Sequence, residues 1–180
     1  MPLSTGDTAP AFELPNANAN VGSSTVSFEG AKLEHGTLVL FECNHCPYVV
    51  ASVGRINDMA ETCLSQGIGF VGINSNDPVV YENDSFEHMV KRAEGGMPYA
   101  YLHDASQTVA HAYGAKRTPE FFLFDADPNT LEIRGKTTTY AFDVSGSDHV
   151  VLRGLEFFGA TFRFSRCVGC RAEGLNLVYP

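Results

Sequence analysis

From residue 37 to about 135 the chain alternates short apolar runs with apolar stripes at three- and four-residue spacing. Thr37-Leu-Val-Leu-Phe41 is a continuous apolar run, which predicts a strand covered on both faces, and it stops at Glu42-Cys-Asn-His-Cys-Pro47. Pro47 suits the first turn of a helix, where its missing N–H costs nothing. Val49, Val53, Ile56, Ala60, Cys63 and Leu64 then form the stripe of an amphipathic helix ending near Gly67. Ile68 to Ile73 is a second buried strand. Asp84 to Glu94 predicts a helix with Phe86, Met89, Val90 and Ala93 on one face and capping-box spacing between Asp84 and Glu87. Tyr99 to Leu102 is strand-like, and Asp104 is placed to cap a helix with Val109, Ala110 and Tyr113 that closes at Gly114. Phe121 to Phe124 and Leu131 to Arg134 complete the unit as strands joined through the hairpin residues Asp125-Ala-Asp-Pro-Asn129. Upstream lie a loop-rich start, Gly6 to Pro10, and a polar linker around Asn16 to Ser24. The order predicts an α/β sandwich, mostly parallel with an antiparallel edge.

After Gly135 the helical periodicity stops. A shift of 20 residues aligns the remaining chain with itself: Phe142 with Phe162, Val144 with Phe164, Ser145 with Ser165, Gly154 with Gly174, Leu155 with Leu175 and Phe157 with Leu177. This predicts two turns of a β-solenoid and resembles the coils of right-handed parallel β-helix proteins. Two turns are fewer than the three or so such a stack needs for stability. The segment is therefore expected to dock on the first domain, to oligomerise, to stay partly disordered, or to begin a longer solenoid. The expected domains are residues 1–135 and 136–180.

The length of 180 residues leaves room for one complete domain and a fragment of another, and 44% hydrophobic residues suffice for a core. The net charge of −9, with no basic cluster, argues against nucleic acid and anionic membranes as partners. The start Met-Pro-Leu-Ser-Thr-Gly-Asp lacks the charged and apolar regions of a secretory signal, so a reducing cytoplasm is the expected location.

Five cysteines, an odd number, argue against a disulfide framework and for reactive, metal-bound or buried thiols. Cys43 and Cys46 form a C-x-x-C between a buried strand and a helix, where unpaired N–H groups and partial positive charge favour a thiolate. His45, between them, is placed to favour the anion further. The competing reading is a pair of metal-bound or incidentally buried thiols: a zinc knuckle, or a protein in which Cys43, Cys46 and His45 hold Cu(I) or zinc. Cys63 lies on the helical stripe and reads as core packing. Cys167 and Cys170 fall in a turn of the repeat and read as unpaired solenoid positions, with a second redox pair as the alternative. His35, His88, His103, His111 and His149 show no ligand spacing and read as surface residues.

Four strings, Phe41-Glu-Cys-Asn-His-Cys-Pro-Tyr-Val49, Val71-Gly-Ile-Asn-Ser-Asn-Asp77, Tyr101-Leu-His-Asp-Ala-Ser-Gln107 and Tyr113-Gly-Ala-Lys-Arg-Thr-Pro-Glu-Phe-Phe-Leu-Phe-Asp125, together resemble the alkyl hydroperoxide reductase and thiol-specific antioxidant proteins, over about residues 4–135. The resemblance implies a thioredoxin-like fold, a central mixed sheet flanked by helices, in which the solenoid-like segment replaces the usual last helix and a bare sheet face would need covering. It implies that Pro119 is a cis-proline facing the C-x-x-C, exposing the backbone of Thr118 to a bound substrate. Thioredoxin logic makes Cys43 the exposed nucleophile and Cys46 the resolving thiol. The peroxiredoxin pattern P-x-x-x-T-x-x-C instead puts Cys46 at the peroxide-reacting position, with Cys43 in place of threonine and Val39 in place of proline. Those departures favour a thiol-disulfide oxidoreductase over a thiol peroxidase. The sequence Cys-Asn-His-Cys is similar to the C-P-H-C of the oxidant DsbA. Glu42 is either a proton shuttle or a solvated acid at a strand end, and Arg117 either a thiolate partner or a loop cation. No cofactor is implied; the implied partners are thiols, disulfides or peroxides and a cellular dithiol reductant.

Overall fold

The protein is described by a computed structural model covering residues 3, 7–126, 131–132, 142–146, 148–153, 156–158, 162–174 and 176–178. The chain divides into two compact units, Met1–Arg134 and Gly135–Pro180.

In the first unit, β1 (Glu13–Pro15) and β2 (Thr25–Ser27) pair antiparallel and lead into α1 (Phe28–Ala31), whose first turn is capped by the Ser27 hydroxyl. The chain continues through β3 (Gly36–Phe41), α2 (Pro47–Val50), α3 (Val53–Ser65), β4 (Ile68–Asn74), a 3-10 turn (Glu82–Asp84), α4 (Phe86–Ala93), β5 (Ala100–His103), α5 (Thr108–Tyr113), β6 (Glu120–Phe124) and β7 (Leu131–Glu132). The five strands β3 to β7 form one sheet in the order β5-β4-β3-β6-β7.

The sheet is more evenly mixed than the sequence pattern predicts. Strands β3, β4 and β5 are parallel, but β6 runs antiparallel directly beside the central β3, and β7 is antiparallel to β6. Strand β5 ends and strand β6 begins at the same end of the sheet, where β3 finishes, with Glu120 opposite Phe41.

Both faces of the sheet are packed. On one, Val39, Phe41, Val71 and Ile73 meet Phe28 of α1, Val109 and Tyr113 of α5, and Phe122 and Phe124 of β6. Tyr113 meets Phe41, Phe122 and Phe124 edge-on at centroid distances of 5.4 to 5.8 Å. On the other face, Leu38, Leu40 and Phe70 pack against Ile56 and Ala60 of α3 and Met89 and Ala93 of α4. All six residues of β3 are buried, as a strand covered on both sides requires.

Three local expectations are corrected. The helix read from Val49 to Leu64 is interrupted by a turn at Ala51 and Ser52, among β-branched residues and a glycine that weaken helix formation. Asp84 does not open a capping box: it sits in the 3-10 turn, and Ser85 occupies the N-cap of α4. Asp104 is not the N-cap of α5, which is Gln107 in a left-handed conformation (φ 60°), although the Asp104 carboxylate accepts the Ala110 N–H at 2.9 Å. The hairpin residues Asp127 to Asn129, and the end of the strand read as Leu131 to Arg134, lie outside the described residues.

In the second unit, β8 (Phe142–Ser145), β9 (Val151–Arg153) and β10 (Glu156–Phe158) pair in parallel with β11 (Phe162–Ser165), β12 (Arg171–Glu173) and β13 (Asn176–Val178). Each residue pairs with the one 20 positions on, such as Phe142 with Phe162 and Val151 with Arg171. The Ser145 and Ser165 hydroxyls lie 2.7 Å apart. Among the described residues no helix is long and apolar enough to cross a membrane.

Candidate active site

The C-terminal end of β3 fixes the position of both sulfurs. Past Phe41 the chain turns through Glu42 to Cys46, which is the N-cap of α2, with Pro47 as the first helical residue. Because β6 begins opposite Phe41, the segment just before it lies against this turn. The Thr118 hydroxyl is 3.3 Å from the Cys43 sulfur, and the Thr118 carbonyl accepts the Cys46 thiol at 3.2 Å. The Thr118–Pro119 bond is cis. The residues singled out by sequence, Cys43, His45, Cys46, Thr118 and Pro119, are thus brought to one place.

The two thiols differ in environment. Cys43 is buried, at 1% exposure, whereas Cys46 is half-buried. Burial pushes the Cys43 thiol above the ordinary 9.0, against hydrogen bonds from the Thr118 hydroxyl and from the N–H groups of Cys46 and His45. At Cys46 burial also acts upward, but hydrogen bonds from the Val49 N–H, Thr118, the Tyr48 N–H and the Cys43 thiol together take it below 9.0. Of the two thiols, Cys46 is the less buried and the one drawn below 9.0, whereas thioredoxin logic expects Cys43 to be the exposed one. The helix begins at Pro47, and the N–H groups of Tyr48 and Val49 in its first turn are among the causes that lower the Cys46 thiol.

The His45 ring is anchored on Asp84, with a ring nitrogen within 4.8 Å of the Cys43 sulfur. Its Nδ1–H donates to Asp84 at 2.5 Å, and the ring stacks on Tyr81 with centroids 4.3 Å apart. Asp84 is fully buried and also accepts the Asn44 N–H at 2.6 Å and the side-chain amides of Asn74 and Asn76 at 3.1 and 2.9 Å. Burial alone would raise the Asp84 carboxyl, yet these donors bring it below 3.8. One ligand atom each from Cys43, His45 and Asp84 fall within 4.8 Å of one another, a spacing that fits a metal ion.

Beneath Cys43 lies a second polar group that the sequence did not reveal. Glu42, read as either solvated or a proton shuttle, is completely buried and ion-paired with Arg92, and its other oxygen accepts the Tyr99 hydroxyl at 2.7 Å. Burial raises its carboxyl, opposed by Arg92 and Tyr99. Arg92 also donates to the Cys43 carbonyl at 3.0 Å and to the Asn44 side chain at 3.3 Å, and lies 5.1 Å from the Tyr101 ring centre. The guanidinium therefore holds the backbone of the cysteine turn. Nothing in the sequence marks Arg92, since a basic residue in the last turn of a helix is ordinary. The asparagines bound to Asp84 fall in the Val71–Asp77 string, a local signal that does exist.

A cleft of about 400 Å³ opens beside the sulfurs, and Arg117 lines it as an exposed side chain. Cys63 is half-buried against the core of one sheet face. Cys167 and Cys170 lie in the turn between β11 and β12, with the Cys167 thiol donating to the Ser165 carbonyl at 3.1 Å. Of the histidines read as surface residues, His35, His111 and His149 are exposed, while His88 and His103 are half-buried.

A mixed sheet packed by helices on both faces, with a C-x-x-C at the end of its central strand and a cis-proline against it, defines a thioredoxin-like thiol redox protein. The AhpC/TSA family model matches residues 5–133, and the chain belongs to that family. A conserved, uncharacterized protein from Geobacillus kaustophilus is 40% identical, with a TM-score of 0.67, over 71% of this chain and 66% of its own. This chain thus spans just under two thirds of that protein's length. A hypothetical protein from Sinorhizobium meliloti 1021 is 32% identical over 76% of each chain, with a TM-score of 0.66. Peroxidoxin BcpB from Mycobacterium tuberculosis shares the fold at 22% identity and a TM-score of 0.60, over 76% of this chain and 88% of its own. No curated protein matches.

Proposed function

We propose that the protein is a thiol-disulfide oxidoreductase in which Cys46 attacks and Cys43 resolves. The carrying observation is a contrast in environment: Cys46 is half-buried at the N-cap of α2 with its thiol drawn below 9.0, whereas Cys43 is 1% exposed with its thiol pushed up by burial, both within reach of Thr118. The Cys46 thiolate attacks one sulfur of a disulfide R–S–S–R′. That bond breaks, R′S⁻ leaves and takes a proton from water, and a Cys46–S–S–R mixed disulfide forms. The Cys43 thiol then attacks the Cys46 sulfur; RS⁻ leaves with the Cys43 proton, and the protein ends as a Cys43–Cys46 disulfide. A cellular dithiol returns it to the reduced state, and a reducing cytoplasm is the compartment this reading assigns. Residues 136–180 we read as two turns of a β-solenoid.

One observation favours a second reading, thiol peroxidase. The acidified sulfur is Cys46, which stands where the peroxiredoxin pattern has its peroxide-reacting cysteine. A peroxide would convert the Cys46 thiolate to a sulfenic acid, releasing an alcohol or water, and Cys43 would condense with it, releasing water. The metal-binding reading names Cys43, Cys46 and His45, whereas the ligand atoms that gather within 4.8 Å are those of Cys43, His45 and Asp84, and Asp84 is already engaged by protein donors.

Iodoacetamide alkylation as a function of pH, on the reduced wild type and the Cys43→Ser and Cys46→Ser variants, tests the assignment. The expected profile has a Cys46 midpoint below 9.0 and a Cys43 midpoint above it. Cys46→Ser should remove the reaction at about pH 7, and Cys43→Ser should keep it and trap a mixed disulfide. A rapid reaction persisting in Cys46→Ser overturns the assignment of the nucleophile. Stopped-flow mixing of the wild type with hydrogen peroxide and with an oxidised dithiol separates the two readings, since the oxidoreductase reacts rapidly only with the second.

A further inference from the structure

In an acidic chain, the cleft beside Cys46 is lined by basic and not by acidic side chains. The chain carries a net −9, yet no aspartate or glutamate side chain lines this cleft, while His111, Lys116 and Arg117 do. All three are exposed on α5 and the loop after it, and among the described residues neither Lys116 nor Arg117 is ion-paired. The loop is fixed from outside the cleft: Glu120 accepts the backbone N–H of Lys116 at 2.7 Å and of Arg117 at 3.2 Å. Two buried acids border the lining and are already engaged: Asp84 by His45 and three asparagine donors, and Asp104 by the Ser75 hydroxyl and the Ala110 N–H. The floor is apolar, with Phe41, Ile73 and Ala110. At about 400 Å³ the space suits a small molecule.

We propose that this cleft selects anionic, carboxylate-bearing low-molecular-weight disulfides as the oxidants of Cys46. The proposal rests on the oxidoreductase reading and names its substrate class. A basic rim beside the reacting sulfur attracts such a molecule to a surface that the net charge otherwise makes repulsive. The carboxylate is held at Lys116 and Arg117, while the disulfide reaches Cys46 at the same cleft. The electron balance is that already given: two protein thiols become one disulfide, and the small disulfide leaves as two thiols.

Single-turnover stopped-flow of the reduced full chain with dithiobis(nitrobenzoate), dithiodipyridine and cystamine supplies anionic, neutral and cationic probes. The readout is the ratio of anionic to cationic second-order rate constants. Lys116→Glu should lower that ratio at least about tenfold, whereas Lys32→Glu, the same charge change outside the cleft, should leave it unaltered. Arg117→Gln should lower it less, and it serves in place of Lys116→Glu should that variant not fold. In the wild type, added salt should slow the anionic probe relative to the cationic one. Fast reaction of all probes at Cys46, with a ratio indifferent to both cleft variants and to salt, overturns the charge selection and leaves the redox reading standing. Probes reacting at Cys46 no faster than with free cysteine overturn the redox reading and the selection together.

Discussion

Asp84 shows how much of the site depends on one side chain placed by tertiary contacts. Its buried carboxylate gathers donors from three segments: the cysteine turn (Asn44 and His45), the end of β4 (Asn74), and the residue two further on, Asn76. It thereby links the C-x-x-C turn to the sheet. Its folded pKa lies below the ordinary 3.8. The carboxylate therefore contributes stability that is present above pH 3.8 and is lost as the pH falls through the lower folded value. Asp84→Asn should consequently be less stable than the wild type at neutral pH, by a margin that shrinks once the pH drops below 3.8. Urea midpoints measured across that acid range check this, and a constant margin would show that the charge of Asp84 is irrelevant. The sequence did not reveal Asp84 because its spacing to Glu87 imitates a helix cap, and its partners Asn44 and His45 are about 40 residues away. The cysteines, His45, Thr118 and Pro119 were legible because they lie inside strings whose residues stay together in the fold.

Among the elements, buried strands were the most legible, since an apolar run between turn residues admits few other readings. β3 and β4 fall where the sequence places them, to within a residue of either end. What the pattern could not supply was the direction of β6, seen only in its antiparallel pairing with β3, or the break between α2 and α3, which leaves the apolar stripe intact. Gly72 shows how closely these elements approach. A Cβ there would lie 2.3 Å from Glu42 Oε1 and 2.8 Å from the Tyr99 ring, inside the polar group below Cys43. No rotation of β4 relieves this, because its neighbours β3 and β5 are both hydrogen-bonded to it. Gly72→Ala should therefore destabilise the protein by about 1–3 kcal/mol, as overpacking does. Equilibrium denaturation measures that cost, and a neutral substitution would mean that Glu42 and Tyr99 move aside freely.

On the scale of the whole molecule, the chemistry is concentrated in one unit. Among the described residues, every buried residue of the two sheet cores lies between Ala9 and Phe124. Every group described as touching either sulfur lies between Cys43 and Thr118. The AhpC/TSA match ends at residue 133, one short of Arg134, where the first unit ends. The sequence signals a change of pattern here because helical spacing gives way to a 20-residue repeat, and that repeat returns as strand register in β8 to β13. A helix N-terminus acts on a thiol over only a turn or so, and hydrogen bonds act over less. The acidity of Cys46 should thus be set entirely within Met1–Arg134. A chain ending at Arg134 is expected to keep the far-ultraviolet circular dichroism of a mixed α/β protein and the same Cys46 alkylation midpoint as the full chain. Loss of structure would show that Gly135–Pro180 completes the fold, and a shifted midpoint in a folded chain would show that it reaches the electrostatics of the cysteine turn.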